Sequence, residues 1–126
     1  MRREILGGKI HNAHVTQVNL EYEGSCAIDE NLLDAARISP YERIHVYNMH
    51  SGVRFDTYAI PAKRGSGTIG LNGAAARLGH RGDRVIIVTF VQVPEEELHT
   101  HKPKVVVVDE RNHPVTHKRH SIKKKS

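Results

Sequence analysis

The sequence predicts a small, mainly β domain of barrel type with a few short helices. Three observations carry that reading. Apolar and polar residues alternate in short segments at the two-residue period of a half-buried strand. Only three segments suit a helix, and all are short. Glycine-rich turns separate them, as in small closed β architectures. The chain has 126 residues, one domain's worth at the usual size of about 100–150 residues.

Taken in order, His14 to Leu20 alternates strictly and reads as a strand. Asp29 can cap a helical turn that carries Leu32, Leu33 and Ala36 on one side. Ile44 to Tyr47 and Phe55 to Ile60 alternate again. Asn72 can cap a helix from Gly73 to Leu78, with Gly79 as its stop. Val85 to Val93 is a long β-branched run. Pro94 can open a turn through Glu95, Glu96, Glu97 and Leu98, whose acids suit a helix start. Lys104 to Val108 closes the series as a strand. Periodicity does not choose among barrels.

The net charge of +5 first suggests nucleic acid. Its distribution argues otherwise. Residues 111–126 hold six of the 19 Lys and Arg and none of the 14 Asp and Glu. The body, 1–110, is left with 13 basic against 14 acidic side chains. The division expected is therefore a folded domain over 1–110 and a basic, disordered tail over 111–126. None of the six Phe and Tyr residues lies in the tail, which gives single-stranded nucleic acid no stacking platform there. No run approaches the ~20 apolar residues of a membrane helix. Met1 to Gly8 carries charges and no apolar stretch, so no secretory signal is expected. A single cysteine, Cys26, excludes an internal disulfide framework and fits a reducing cytoplasm.

Several motifs carry possible chemistry. Gly65-Ser66-Gly67-Thr68-Ile69-Gly70 matches G-x-G-x-x-G, but β-prone residues sit where the dinucleotide helix should begin. Phe90 occupies the position expected for the ribose-binding acid, so the segment reads as a turn. The ten histidines lack a framework of further ligands, and no metal site is expected. Gly24-Ser25 is a turn dipeptide on its own, and Gly65-Ser66 repeats it. It permits more: a serine hydroxyl held against the preceding carbonyl can take its acyl group from nitrogen. Elimination from the resulting ester then yields dehydroalanine, and hydrolysis leaves a pyruvoyl terminus. Gly24, without a Cβ, should ease the strained approach. Cys26 is either a rival nucleophile or a small buried thiol. On a regular strand Arg54 and Tyr58 share one face and Thr57 the other, so uniting them needs a bend or bulge. Asn72-Gly73-Ala74-Ala75-Ala76 is an ordinary capped helix start or an anion site built from free amides.

Together, Lys9 and His11, Tyr22 to Cys26, Arg54 to Tyr58, and Asn72 to Ala76 occur in the order and spacing of the pyruvoyl-dependent aspartate alpha-decarboxylase family, which the chain resembles from about residue 1 to 108. The resemblance implies a six-stranded double-psi β-barrel in a homotetramer, with active sites between neighbouring subunits. It implies self-cleavage between Gly24 and Ser25, giving a small β chain of residues 1–24 and an α chain of residues 25–126. Ser25 becomes the pyruvoyl group, the covalent cofactor that forms a Schiff base with L-aspartate. Neither a metal nor pyridoxal phosphate is required. Decarboxylation to β-alanine and carbon dioxide would serve pantothenate synthesis.

By the same likeness, Gly24 supplies the cleavage-site carbonyl, and Thr57 positions the ester intermediate and lines the substrate site. Arg54 and the amides of Gly73, Ala74 and Ala75 hold carboxylate oxygens, and Tyr58 donates the proton. Lys9, His11, Tyr22 and Asn72 support the pocket. A helper protein for maturation is a possible partner. The competing readings are an uncut, non-catalytic barrel acting as a binding or regulatory module, and a nucleic-acid binder driven by the tail.

Overall fold

The computed structural model describes residues 1–115. Its strands are β1 (Arg2–His14), β2 (Gln17–Asn19), β3 (Ser25–Asp29), β4 (Arg43–Asn48), β5 (Arg54–Ala62), β6 (Ile69–Asn72), β7 (Arg84–Pro94) and β8 (Lys104–Val107). One α-helix, α1 (Glu30–Ala36), and two 3₁₀ turns, Gly73–Arg77 and Glu95–Thr100, complete the fold. The mainly β expectation with short helices holds. Among the described residues the strands number eight; β2 and β8, with three and four residues, stand at the two ends of the order β2-β6-β3-β5-β4-β7-β1-β8.

β5 belongs to both halves of the sheet. Arg54 to Tyr58 pair antiparallel with β4, and Ala59 to Ala62 pair parallel with β3. The chain leaving β1 also joins the halves. The Val15 amide donates to the Asp83 carbonyl at 2.9 Å, and the Thr16 amide to the Ile69 carbonyl at 2.8 Å, before β2 settles beside β6. One run of chain thus links β1, next to one end of the strand order, with β2 at the other end, and the sheet curls into a barrel-like form.

Ile10, Ile28, Leu32, Ile44, Ile69 and Ile87 are fully buried inside it. Each such side chain contributes about 1.5–3 kcal/mol relative to exposure. Gly8 lets β1 pack closely against the end of α1. A Cβ at Gly8 would collide with the Ala36 carbonyl at the end of α1.

Asp29 caps α1 as expected, accepting the Asn31 amide at 2.8 Å. It also accepts the amides of Gly65 at 3.0 Å and Gly67 at 2.8 Å. Burial pushes its carboxyl up, but the three amides more than offset this and hold it below its ordinary value. Gly65 and Gly67 both have positive φ. The glycine-rich segment is therefore a turn, and the anion it wraps is a side chain of its own protein.

The expected boundary after residue 110 falls inside packed structure. Asn112 is fully buried. Its Oδ1 accepts the His14 amide at 2.7 Å, and its Nδ2 donates to the carbonyls of His14 and Gly67, each at 2.8 Å. Val108 bridges to Pro114. The physical reason is that an asparagine amide offers both a donor and an acceptor, so it can stand in for a peptide unit within an otherwise polar segment. Residues 116–126, the remainder of the expected tail, lie outside the described residues. Among the described residues no helix is long and apolar enough to cross a membrane.

Candidate active site

Ser25 begins β3 and pairs directly with Asn72 at the end of β6. Both are buried, at 1% and 4% exposure. Asn72 Nδ2 donates to Ser25 Oγ at 3.0 Å, and the Ser25 hydroxyl donates to the Glu23 carbonyl at 3.1 Å. Two bonds therefore fix the hydroxyl, one through its hydrogen and one through a lone pair. The expectation that the Asn72 side chain caps the following helix is corrected. It makes no capping bond, and the helix is a 3₁₀ turn ending at Arg77, before Leu78 and Gly79. A cap would use Oδ1 as acceptor, whereas the side chain is turned so that Nδ2 donates to Ser25 Oγ.

Gly73 has φ +66°. A Cβ there would lie 2.6 Å from Gly24 Cα, 2.7 Å from Gly24 N and 3.1 Å from the Tyr22 carbonyl. A Cβ on Gly24 itself would meet nothing within 4 Å. The steric demand expected at Gly24 thus falls on Gly73, because the open side of the turn faces away from the protein while its other side rests on residue 73. Ala74 is exposed and Ala75 buried. The first amides of such a turn have no partner within it.

Register sets the rest. Cys26 lies opposite Ala59 in the parallel pairing of β3 and β5. Ser25 and Tyr58 each stand one residue before that first pair on their strands, and Tyr58 pairs instead with Arg43 of β4. Tyr58 is half-buried, its ring 6.4 Å from that of Tyr41. The pairing of β5 with β4 runs from Arg54 to Tyr58 without a register shift. No bulge turns Thr57 toward the face shared by positions 54 and 58.

Other candidates lie on other elements. Arg54 is exposed, and its guanidinium carbon sits 4.1 Å from the ring centre of Tyr47, its cross-strand partner. Four residues of strand, about 13 Å, separate it from Tyr58. Lys9 and His11 lie on β1, paired with Val105 and Val107 of β8. Three strands, β5, β4 and β7, stand between β1 and β3 in the sheet order. Among the described residues His11 Nδ1 is buried without a hydrogen-bond partner. Burial, with Lys9 and Arg84 nearby, lowers the pKa of His11 and favours the neutral ring. The Tyr22 side chain is exposed, in line with exposed Leu20 and Val18.

Cys26 is completely buried, and burial pushes its thiol up to about 12. A thiolate nucleophile is out of reach near neutral pH. Among the described residues no group of three His, Cys, Asp or Glu is placed to hold a metal ion.

Fold and site define a class: a small barrel-like β protein that presents one buried hydroxyl at a glycine–serine junction. The chain belongs to the aspartate decarboxylase family. A family model described as aspartate decarboxylase matches residues 1–115. The chain is 56% identical over 112 residues to the aspartate 1-decarboxylase of Ralstonia pickettii (strain 12J), covering 89% of this chain and 93% of that protein. It is 57% identical over 112 residues to the Bordetella avium (strain 197N) protein of the same name, covering 89% and 92%. A third relative so named, from Syntrophobacter fumaroxidans (strain DSM 10017 / MPOB), is 55% identical over 116 residues, covering 92% and 94%. The resemblance carried by the four sequence blocks holds, and the family match reaches past residue 108 to include Asn112.

Proposed function

We propose that this protein decarboxylates L-aspartate to β-alanine and carbon dioxide, after cutting its own backbone between Gly24 and Ser25. The carrying observation is the Ser25 hydroxyl, pinned between Asn72 and the Glu23 carbonyl while Gly73 presses on Gly24. In the cut, Ser25 Oγ bonds to the Gly24 carbonyl carbon as the Gly24–Ser25 C–N bond breaks, and the hydroxyl proton ends on the freed amine. Elimination from the ester and loss of ammonia by hydrolysis leave a pyruvoyl terminus. The space fits that group: it replaces a side chain already in place, Asn72 Nδ2 is poised to donate to a carbonyl oxygen, and Gly73 adds no Cβ.

A pyruvoyl group there supplies the electron sink for loss of a carboxylate from the substrate's Cα. The chain's own residues do the rest. The amides of Gly73, Ala74 and Ala75 take carboxylate oxygens at the start of the 3₁₀ turn. Tyr58, half-buried on β5 next to Ala59, the partner of Cys26, returns a proton from its phenolic oxygen. Thr57 steadies the reacting carbonyl. Arg54 grips the substrate's other carboxylate with its planar fork. Lys9 adds positive charge, while His11 and Tyr22 shape the wall. Arg54 starts β5, and Lys9 and His11 lie on β1, which pairs with neither β3 nor β6; this supports a site completed by a neighbouring copy, as in a homotetramer. The exposed Val18, Leu20 and Tyr22 offer an apolar contact for such a copy.

Intact-mass analysis of the purified protein tests the reading. The expected result is a fragment of residues 1–24 and a remainder one ammonia lighter than simple hydrolysis would give, with Ser25→Ala uncut and inactive. An active Ser25→Ala chain would overturn it.

A further inference from the structure

Away from Ser25, a cavity of about 490 Å³ opens between β1, the end of α1, β7 and β8. Arg37, Lys102 and Lys104 line it, with Thr89, and among the described residues no carboxylate does. Among the described residues none of these three cations forms an ion pair, whereas Arg3, Arg43 and Arg64 each hold a carboxylate. Arg37 ends α1 with φ 57°, at a position where glycine is the usual residue. A long cation is carried there in spite of the backbone preference. Thr89 is 1% exposed; its Oγ accepts the Gly8 amide at 3.0 Å, and its own hydrogen meets no acceptor among the described contacts. A Cβ on Gly7 would lie 2.8 Å from Val91 Cγ1 and 3.2 Å from Thr89 Oγ, so glycine keeps the cavity floor clear. The ring of His101 is tied through Nε2 to the Leu6 carbonyl at 2.8 Å, which anchors the segment that presents Lys102.

The geometry points to this cavity as a binding site for a phosphate-bearing small molecule, separate from the decarboxylation site. Like charges gathered without a counterion repel one another, and a bound anion relieves that repulsion. A guanidinium fork, two ammonium groups and a buried hydroxyl donor match a tetrahedral dianion better than a single carboxylate. The volume exceeds one phosphate group, and Val91 gives an organic portion an apolar wall. None of the lining residues belongs to the candidate active site, so the proposal stands whether or not Ser25 is processed.

The test is titration calorimetry on the full chain at constant ionic strength, with inorganic phosphate and glycerol 3-phosphate as separate probes. Saturable binding of either probe is expected, and the tighter of the two identifies free phosphate or a phosphomonoester as the ligand class. Arg37→Gly, which eases the backbone at the helix end, should weaken binding at least tenfold. The Lys102→Gln/Lys104→Gln pair should do the same, and Arg54→Ala should leave it unchanged. The proposal is overturned by absent saturable binding, by equal binding in Arg37→Gly, or by loss of binding in Arg54→Ala, which would put the anion in the substrate site.

Discussion

Replacing Gly73 by alanine should slow self-cleavage by about a hundredfold. The added Cβ would stand 2.6 Å from Gly24 Cα and 2.7 Å from Gly24 N. Ordinary carbon contacts need about 3.5 Å, so Gly24 and residue 73 must separate by close to 1 Å. A misplacement of about 1 Å at reacting groups can cost about 10²-fold in rate. Alanine at φ +66° adds backbone strain of about 1–2 kcal/mol. The assay is a time course of precursor loss on a denaturing gel, with circular dichroism to verify the fold. Gly24→Ala is the comparison, because a Cβ there meets nothing within 4 Å and should disturb the precursor less. Wild-type cleavage in folded Gly73→Ala, or a larger defect in Gly24→Ala than in Gly73→Ala, would refute the steric reasoning.

Asn112→Ala should destabilise the protein by about 3 kcal/mol, since it orphans one buried amide and two carbonyls at roughly 1–3 kcal/mol each before water relieves part of the loss. That corresponds to a fall of about 10 °C in Tm, measurable by scanning calorimetry; an unchanged Tm would return residues 111–115 to the status of a tail. Asp29 should matter most above the ordinary carboxylate range. Its pKa is held low in the folded state, so its stabilisation is complete above the unfolded value of 3.8 and fades as pH falls through the folded one. Urea unfolding should show Asp29→Asn less stable than wild type at pH 7, by about 1–3 kcal/mol, with the gap narrowing toward pH 2.5. A gap independent of pH would contradict the assignment.

Strands with one wet face were legible. β4, β5 and β7 follow their alternation or β-branched run closely, and β8 lies within the predicted Lys104 to Val108 segment. β3 was not, because all five of its residues are buried and nothing alternates. Most of β1 escaped as well: its first residues are charged and exposed, and Gly7-Gly8 interrupts any β signal although the strand lies between β7 and β8. At the site, residue types alone read Gly24-Ser25 as a turn and Asn72 as a helix cap; the family resemblance pointed to both as site residues, and neither said that the Asn72 side chain bonds Ser25. Asn112 left no signal beyond a single polar letter in a basic segment. Only the three-dimensional meeting of His14, Gly67 and Asn112 gives it a role.

The position of β1 bears on what the severed molecule can do. The short piece released by the proposed cut contains a strand laced on both flanks by hydrogen-bond ladders to β7 and β8. Such a piece cannot drift off without tearing the sheet open. Once it has been driven out, renaturation becomes a second-order encounter between two peptides rather than a first-order collapse of one. The uncut precursor is then the form built for folding, and the nicked product is a species that persists chiefly because it rarely comes apart.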